Sequence, residues 1–231
     1  MPPVTKNLII INFVVWLAMT VYPPLDATVT KFLGLHFYES ASFNMVQPFT
    51  YMFVHGGFFH LFFNMFSLFF FGIAIENTLG SKRFLLYYMV CGVGAAIIQE
   101  AVWSITLYDT IVDALSSRSM LPVEVVEQQL AITPGLLDGF YDQFVTVGAS
   151  GAIYGVLLAF AMIFPNLPIY FIFVPIPIKA KWMVLIWGGL ELVLGMSDAP
   201  DGVAHFAHLG GMIFGFMLIM YWMKKGIVWR H

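Results

Sequence analysis

The stretch Gly148-Ala149-Ser150-Gly151-Ala152-Ile153-Tyr154-Gly155 opens an apolar run with a hydroxyl, and Ala207-His208-Leu209-Gly210-Gly211-Met212-Ile213-Phe214-Gly215 opens another with an imidazole. Each carries glycines four residues apart, Gly151 with Gly155 and Gly211 with Gly215, the spacing that lets two helices approach closely in lipid. Polar side chains at membrane depth are costly and mark function by default. The rest of the chain decides whether this serine and this histidine meet.

Composition sets the class. Of 231 residues, 60% are hydrophobic and 10% charged, with a mean hydropathy of +0.86; soluble domains carry about 25% charged residues. The chain reads as an all-α, polytopic membrane protein. Crossing a hydrocarbon core of about 30 Å takes about 20 apolar residues, and runs near that length occur at 8–22, 58–75, 84–107, 151–164, 183–195 and 206–223. The fourth and fifth are short, which predicts helices that begin beneath the surface inside protein, around a wet site. The apolar stretch 169–178 contains Pro175 and Pro177 and follows Pro168, so it is expected to be an interfacial connection and not a span.

Short cytoplasmic loops collect Lys and Arg. With the N-terminus inside, Lys6, Lys82, Arg83, Lys179, Lys181, Lys224, Lys225 and Arg230 fall on the inner side, and only Lys31 and Arg118 on the outer. Asp109, Asp113, Glu124, Glu127, Asp138 and Asp142 also fall outside, so the expected topology is N-in, C-in. One domain over 1–231 is expected, with a retained signal anchor at its start, no soluble domain appended, and a long acidic outer loop at about 108–147. Within that loop 123–130 is a candidate amphipathic helix lying on the membrane. The single cysteine, Cys91, excludes an intrachain disulfide, and nothing basic or repeated points to nucleic acid.

In this topology the second, fourth and sixth helices run from outside to inside, so their N-terminal ends share a depth. His60 and Asn64 lie on one face of the second at i, i+4, behind His55; Ser150 opens the fourth; His205 and His208 share a face of the sixth. Peptide hydrolysis needs a nucleophile, a base in hydrogen-bond reach and donors aimed at the developing oxyanion. Ser150 and His208 supply the first two. His60, Asn64 and the Ser150 backbone N–H, unpaired at a helix start, supply the third. Tyr154, one turn below Ser150, is placed to stack on His208 or to serve as a structural aromatic. No acid is obviously placed to orient His208; Glu100 and Glu191, towards the outer ends of the third and fifth runs, both stay open for that role, and the expectation is a dyad.

Each residue has a blander reading. Serine beside glycine is common at helix contacts, and His36 and His231 read as solvated loop and tail residues; the weight rests on Ser150, His208, His60 and Asn64 falling at one depth. A zinc site from His55, His60, His205 and His208 is not expected, because no His-Glu-x-x-His motif is present and no carboxylate or cysteine stands beside these histidines in sequence. His55 and His205 are expected to support the loops around the site. No cofactor is expected. The many phenylalanines read as lipid-facing and helix-packing surface, and Glu76, near Lys82 and Arg83, as a structural hydrogen-bonding or ion-pair residue.

Together, residues 55–64, Gly148 to Tyr154 with Gly155, and Ala207 to Gly215 resemble the signature of rhomboid intramembrane serine proteases, in order and spacing; Glu76-Asn77-Thr78-Leu79-Gly80-Ser81 adds to it, and the similarity runs over about 49–216. The resemblance implies a six-transmembrane-helix bundle of the bacterial type in the inner (cytoplasmic) membrane, with Ser150 and His208 as a catalytic dyad and His60, Asn64 and Ser150 as the oxyanion hole. It implies single-span membrane proteins as substrates, cut in or near the transmembrane segment where helix-weakening residues occur, after a small residue. It also implies a lateral gate at the fifth helix and an outer cap, for which 197–202, with Asp198, Pro200, Asp201 and Gly202, is suited. Where the family commonly has a Trp-Arg or similar pair in the first outer loop, this sequence has Val46-Gln47.

The competing function is a noncatalytic relative that binds client transmembrane helices without cutting them. The presence of both Ser150 and His208 favours the enzyme. A transporter is disfavoured because the loops give no sign of an internal repeat.

Overall fold

The computed structural model describes residues 1–133, 135–171, 174–197 and 203–229, and these are predominantly helical. The first helix, α1 (Pro3–Val21), starts with proline in its opening turn, where a missing N–H costs nothing. Its next amides are held by Glu76: the N–H groups of Val4 and Thr5 donate to the carboxylate at 3.0 and 2.7 Å, and the Thr5 and Ser81 hydroxyls donate at 2.8 and 2.6 Å. An anion at a helix N-terminus is doubly favoured, by unpaired N–H groups and by the helix dipole. Glu76 is therefore the rivet joining the start of α1 to the C-terminal end of α4 (Phe58–Leu79), a helix with one π-turn over Leu68–Gly72.

Between α1 and α4 the chain forms α2 (Pro23–Leu33), a two-residue strand β1 (Leu35–His36) and α3 (Gln47–Thr50). Gln47 is fully buried. Its Oε1 accepts the His36 N–H at 3.2 Å, and its Nε2 donates to the carbonyls of Lys31 and Ser42 at 3.2 and 2.8 Å. One amide side chain thus anchors the connection between α1 and α4 at the Val46-Gln47 position.

The largest departure from the sequence reading is α5 (Ser81–Ser119). Its 39 residues, at about 1.5 Å each, span nearly twice a hydrocarbon core of about 30 Å. Residues 108–119 are therefore helix and not loop. Their Ile111 and Val112 are buried against partners that follow: Val112 against Val126 and Leu130 of α6 (Val123–Ile132), and Ile111 with Phe37 and Tyr141 of α7 (Leu136–Tyr141). The 123–130 segment is helical as expected, but its apolar face packs on α5. Strand β2 (Val145–Thr146) then pairs antiparallel with β1, Leu35 opposite Thr146 and His36 opposite Val145, delivering the chain to Ser150.

Helix α8 (Ser150–Ile163) is short and apolar on all sides, the pattern of a helix wrapped by protein, and most of its residues are buried. It is followed by a hairpin, β3 (Pro168–Phe171) and β4 (Val174–Lys179), where the interfacial connection was expected, and by α9 (Ala180–Gly195) and α10 (His205–Lys224). Among the described residues four helices are long and apolar enough to cross a membrane: α1, α4, α5 and α10. Helices also form in the two short runs. The cap expected at 197–202 lies, apart from Ser197, outside the described residues, as do Pro134, Arg230 and His231.

Candidate active site

The α8 and α10 backbones touch. A Cβ on Gly211 would overlap the carbonyl of Gly151, and one on Gly155 would strike Cys91 and the carbonyl of Gly211. Gly215 similarly gives way to the Tyr87 hydroxyl, which donates to the Gly155 carbonyl at 2.8 Å. The two stripes of small residues thus do what their spacing predicts, and they bring the N-terminal ends of α8 and α10 side by side.

The approach to Ser150 is fixed from the segment between α3 and α4 and from α4 itself. The Gly148 N–H donates to the Tyr51 carbonyl at 3.0 Å, and the Ala149 N–H points at His55 Nε2 at 3.4 Å. Gly148 has φ 121°, a conformation that glycine alone adopts readily, and a Cβ there would fall on the His60 ring. The His55 and His60 rings meet edge to face at 5.0 Å between centroids. Asn64 is buried one turn further along α4 and donates through Nδ2 to the His60 carbonyl at 2.8 Å. Burial, with the neighbouring His60 adding to it, pushes the His55 imidazole from its ordinary value of 6.5 down to about 3, so it is neutral.

Ser150 is the first residue of α8, so its backbone N–H has no partner within the helix. Its Oγ lies 2.7 Å from His208 Nε2. The other ring nitrogen, Nδ1, lies 2.9 Å from a carboxylate oxygen of Glu191 in α9, and His205 Nδ1 lies 2.6 Å from the same oxygen. The Tyr154 hydroxyl donates to the second oxygen of Glu191, and its ring stacks on His208 with centroids 4.3 Å apart and planes within 7°. His208, His205 and Glu191 are all buried.

Two expectations are corrected here. An acidic side chain does stand on His208, so the arrangement is a chain of three, Ser150, His208 and Glu191, and His205 joins it instead of serving only a loop. A carboxylate also does lie beside two of the histidines: Glu191, His205 and His208 present ligand atoms within 4.8 Å of one another. The contacts of 2.6 and 2.9 Å are nonetheless shorter than the roughly 3.3 Å edge of a zinc tetrahedron with bonds of about 2.0–2.1 Å. They are hydrogen bonds in length, and a zinc ion would have to push them apart.

The chain matches the family model for the Rhomboid domain over residues 42–225. It belongs to the rhomboid family. Its similarity extends to RHOMBOID-like protein 4 of Arabidopsis thaliana, 32% identical over 166 residues that cover 71% of this chain and 31% of the relative. RHOMBOID-like protein 1 of the same plant is 28% identical over 74% of this chain and 32% of its own length. Rhomboid protein 1, mitochondrial, of Saccharomyces cerevisiae is 27% identical over 76% and 41%. The chain thus spans a third to two-fifths of the length of the curated relatives it matches. The rhomboid match takes in His55, His60, Asn64, Ser150, Tyr154, Glu191, His205 and His208, and with its apolar helices marks a multi-pass integral membrane protein.

Proposed function

We propose that this rhomboid-family protein is an intramembrane serine endopeptidase that cuts single-span membrane proteins in or near their transmembrane segment. The observation that carries the reading is the 2.7 Å approach of Ser150 Oγ to His208 Nε2 at the head of two helices held in backbone contact. In this reading Ser150 Oγ attacks the scissile carbonyl carbon and passes its proton to His208 Nε2. The oxyanion is held by the Ser150 N–H with His60 and Asn64. Collapse expels the amine, which takes the proton from His208 and leaves an acyl-serine. Water, deprotonated by His208, then releases the acid and restores the hydroxyl.

The reading includes six spanning helices with both termini inside, α8 crossing as a short helix wrapped by protein and α9 as a short helix at its edge with most of its apolar side chains exposed, and residence in a bacterial inner membrane. The distribution of Lys and Arg supports that orientation. The preferred substrate carries helix-weakening residues and a small residue before the scissile bond, because an intact helix buries its carbonyls in its own hydrogen bonds. No metal or cofactor takes part.

The test is reconstitution of the purified chain in liposomes with a single-span reporter bearing a Gly/Ala-rich segment at its outer end. Wild-type protein yields two fragments and Ser150→Ala none. An uncut reporter that co-purifies equally with wild type and Ser150→Ala would favour a noncatalytic client-binding protein instead.

A further inference from the structure

Glu191 is the one acidic residue of α9, and it is buried at the head of α10. An ionisable side chain among lipid-facing residues is expensive unless its partners are provided. Here they are: one oxygen faces both His208 Nδ1 and His205 Nδ1, and the other accepts the Tyr154 hydroxyl. Beyond Val184, Glu191 is also the only buried side chain of α9, while Leu185, Ile186, Leu190, Leu192 and Val193 are exposed. The outer half of α9 therefore docks through this carboxylate together with a thin apolar contact, in which Trp187 packs on the core, Gly188 faces Met212 and Gly195 faces Phe206.

We infer that Glu191 is a positioning residue for His208, making the site a Ser-His-Glu chain assembled from α8, α10 and α9. This rests on the reading of Ser150 and His208 as nucleophile and base. An ionised carboxylate accepts and cannot donate, so the proton on His208 sits at Nδ1 and Nε2 is left bare towards Ser150, the form a general base requires. The Tyr154 ring fixes the plane of the imidazole, and the Tyr154 hydroxyl and His205 fix the carboxylate that fixes its tautomer. Because the acid belongs to α9 while the base belongs to α10, His208 is oriented by Glu191 only while α9 rests on α10.

The experiment uses the full chain in detergent, ¹⁵N-labelled at histidine, with the rate of fluorophosphonate labelling measured alongside. In wild type the His208 resonances show the proton on Nδ1. Glu191→Ala and Glu191→Gln lose the single tautomer and label at least about tenfold more slowly, in the range of general-base effects, whereas Glu191→Asp recovers part of the rate. A wild-type His208 protonated at Nε2 overturns the inference without any variant. So does labelling of Glu191→Gln at the wild-type rate. Failure of wild type to label Ser150 would instead count against the serine protease reading, while the tautomer still decides the role of Glu191.

Discussion

His208 and Ser150, 58 positions apart in sequence, meet at 2.7 Å because Gly211 of α10 rests on the Gly151 carbonyl of α8. The glycine seam and the polar contact are one geometric fact. Any side chain in the seam moves the imidazole away from the hydroxyl.

Gly211→Val therefore separates the pair. The added atoms meet backbone, which cannot rotate away, so the cost is at least the roughly 1–3 kcal/mol of ordinary overpacking, a fall in Tm of about 2–4 °C per kcal/mol for a chain of this size. Fluorophosphonate labelling should fall with it. Gly189→Ala, where a Cβ meets nothing within 4 Å, is the control and should leave Tm unchanged or slightly raised. Equal labelling and Tm in Gly211→Val and wild type would refute close packing of α8 on α10.

His60 and Asn64 follow a different logic, since they are asked to act on the transition state. His60→Ala and Asn64→Ala should each lower turnover by about 100- to 1,000-fold, the usual effect of losing one oxyanion donor. Some activity remains, because the Ser150 N–H is backbone. Cleavage of the reporter in liposomes measures this, and a double variant as fast as wild type removes both from the oxyanion hole.

Acid should loosen the site through His55. Burial holds its folded pKa at about 3 against an ordinary 6.5, so between those values the unfolded chain binds the extra proton. Its contribution to stability is full above about 6.5 and is lost as pH falls towards 3, by at most about 1.4 kcal/mol per unit. His36, also buried and with its pKa lowered by burial, acts in the same direction. Thermal unfolding followed from about pH 7.5 to 4.5 should show a steeper loss for wild type than for His55→Gln. A wild type that gained stability on acidification relative to the variant would contradict a neutral, buried His55.

Ser150 with Tyr154 and Gly155, and His208 with Gly211 and Gly215, are legible in the sequence because within each helix they lie about one or two turns apart, and helical spacing converts to a shared face. Glu191 is not. It stands in another helix, without a neighbouring motif, and only the angle between α9 and α10 brings it onto His208. The cost of a carboxylate in an apolar run was the available signal. Residues 108–119 misled for the opposite reason: Tyr108, Asp109 and Asp113 look like loop after a membrane span, yet Ile111 and Val112 find a cover in α6 and α7 that lies further along the chain. Gln47 was read as a departure from a family pattern, whereas its amide makes three anchoring hydrogen bonds.

The central claim is that Ser150 is a nucleophile activated by His208. It is tested most directly by treating detergent-purified protein with a fluorophosphonate probe and mapping the adduct by peptide mass, which requires no knowledge of the substrate. The account predicts an adduct on Ser150 that disappears in both Ser150→Ala and His208→Ala while their Tm values show them folded. Folded wild-type protein with no adduct, or an adduct that persists in Ser150→Ala, would contradict it.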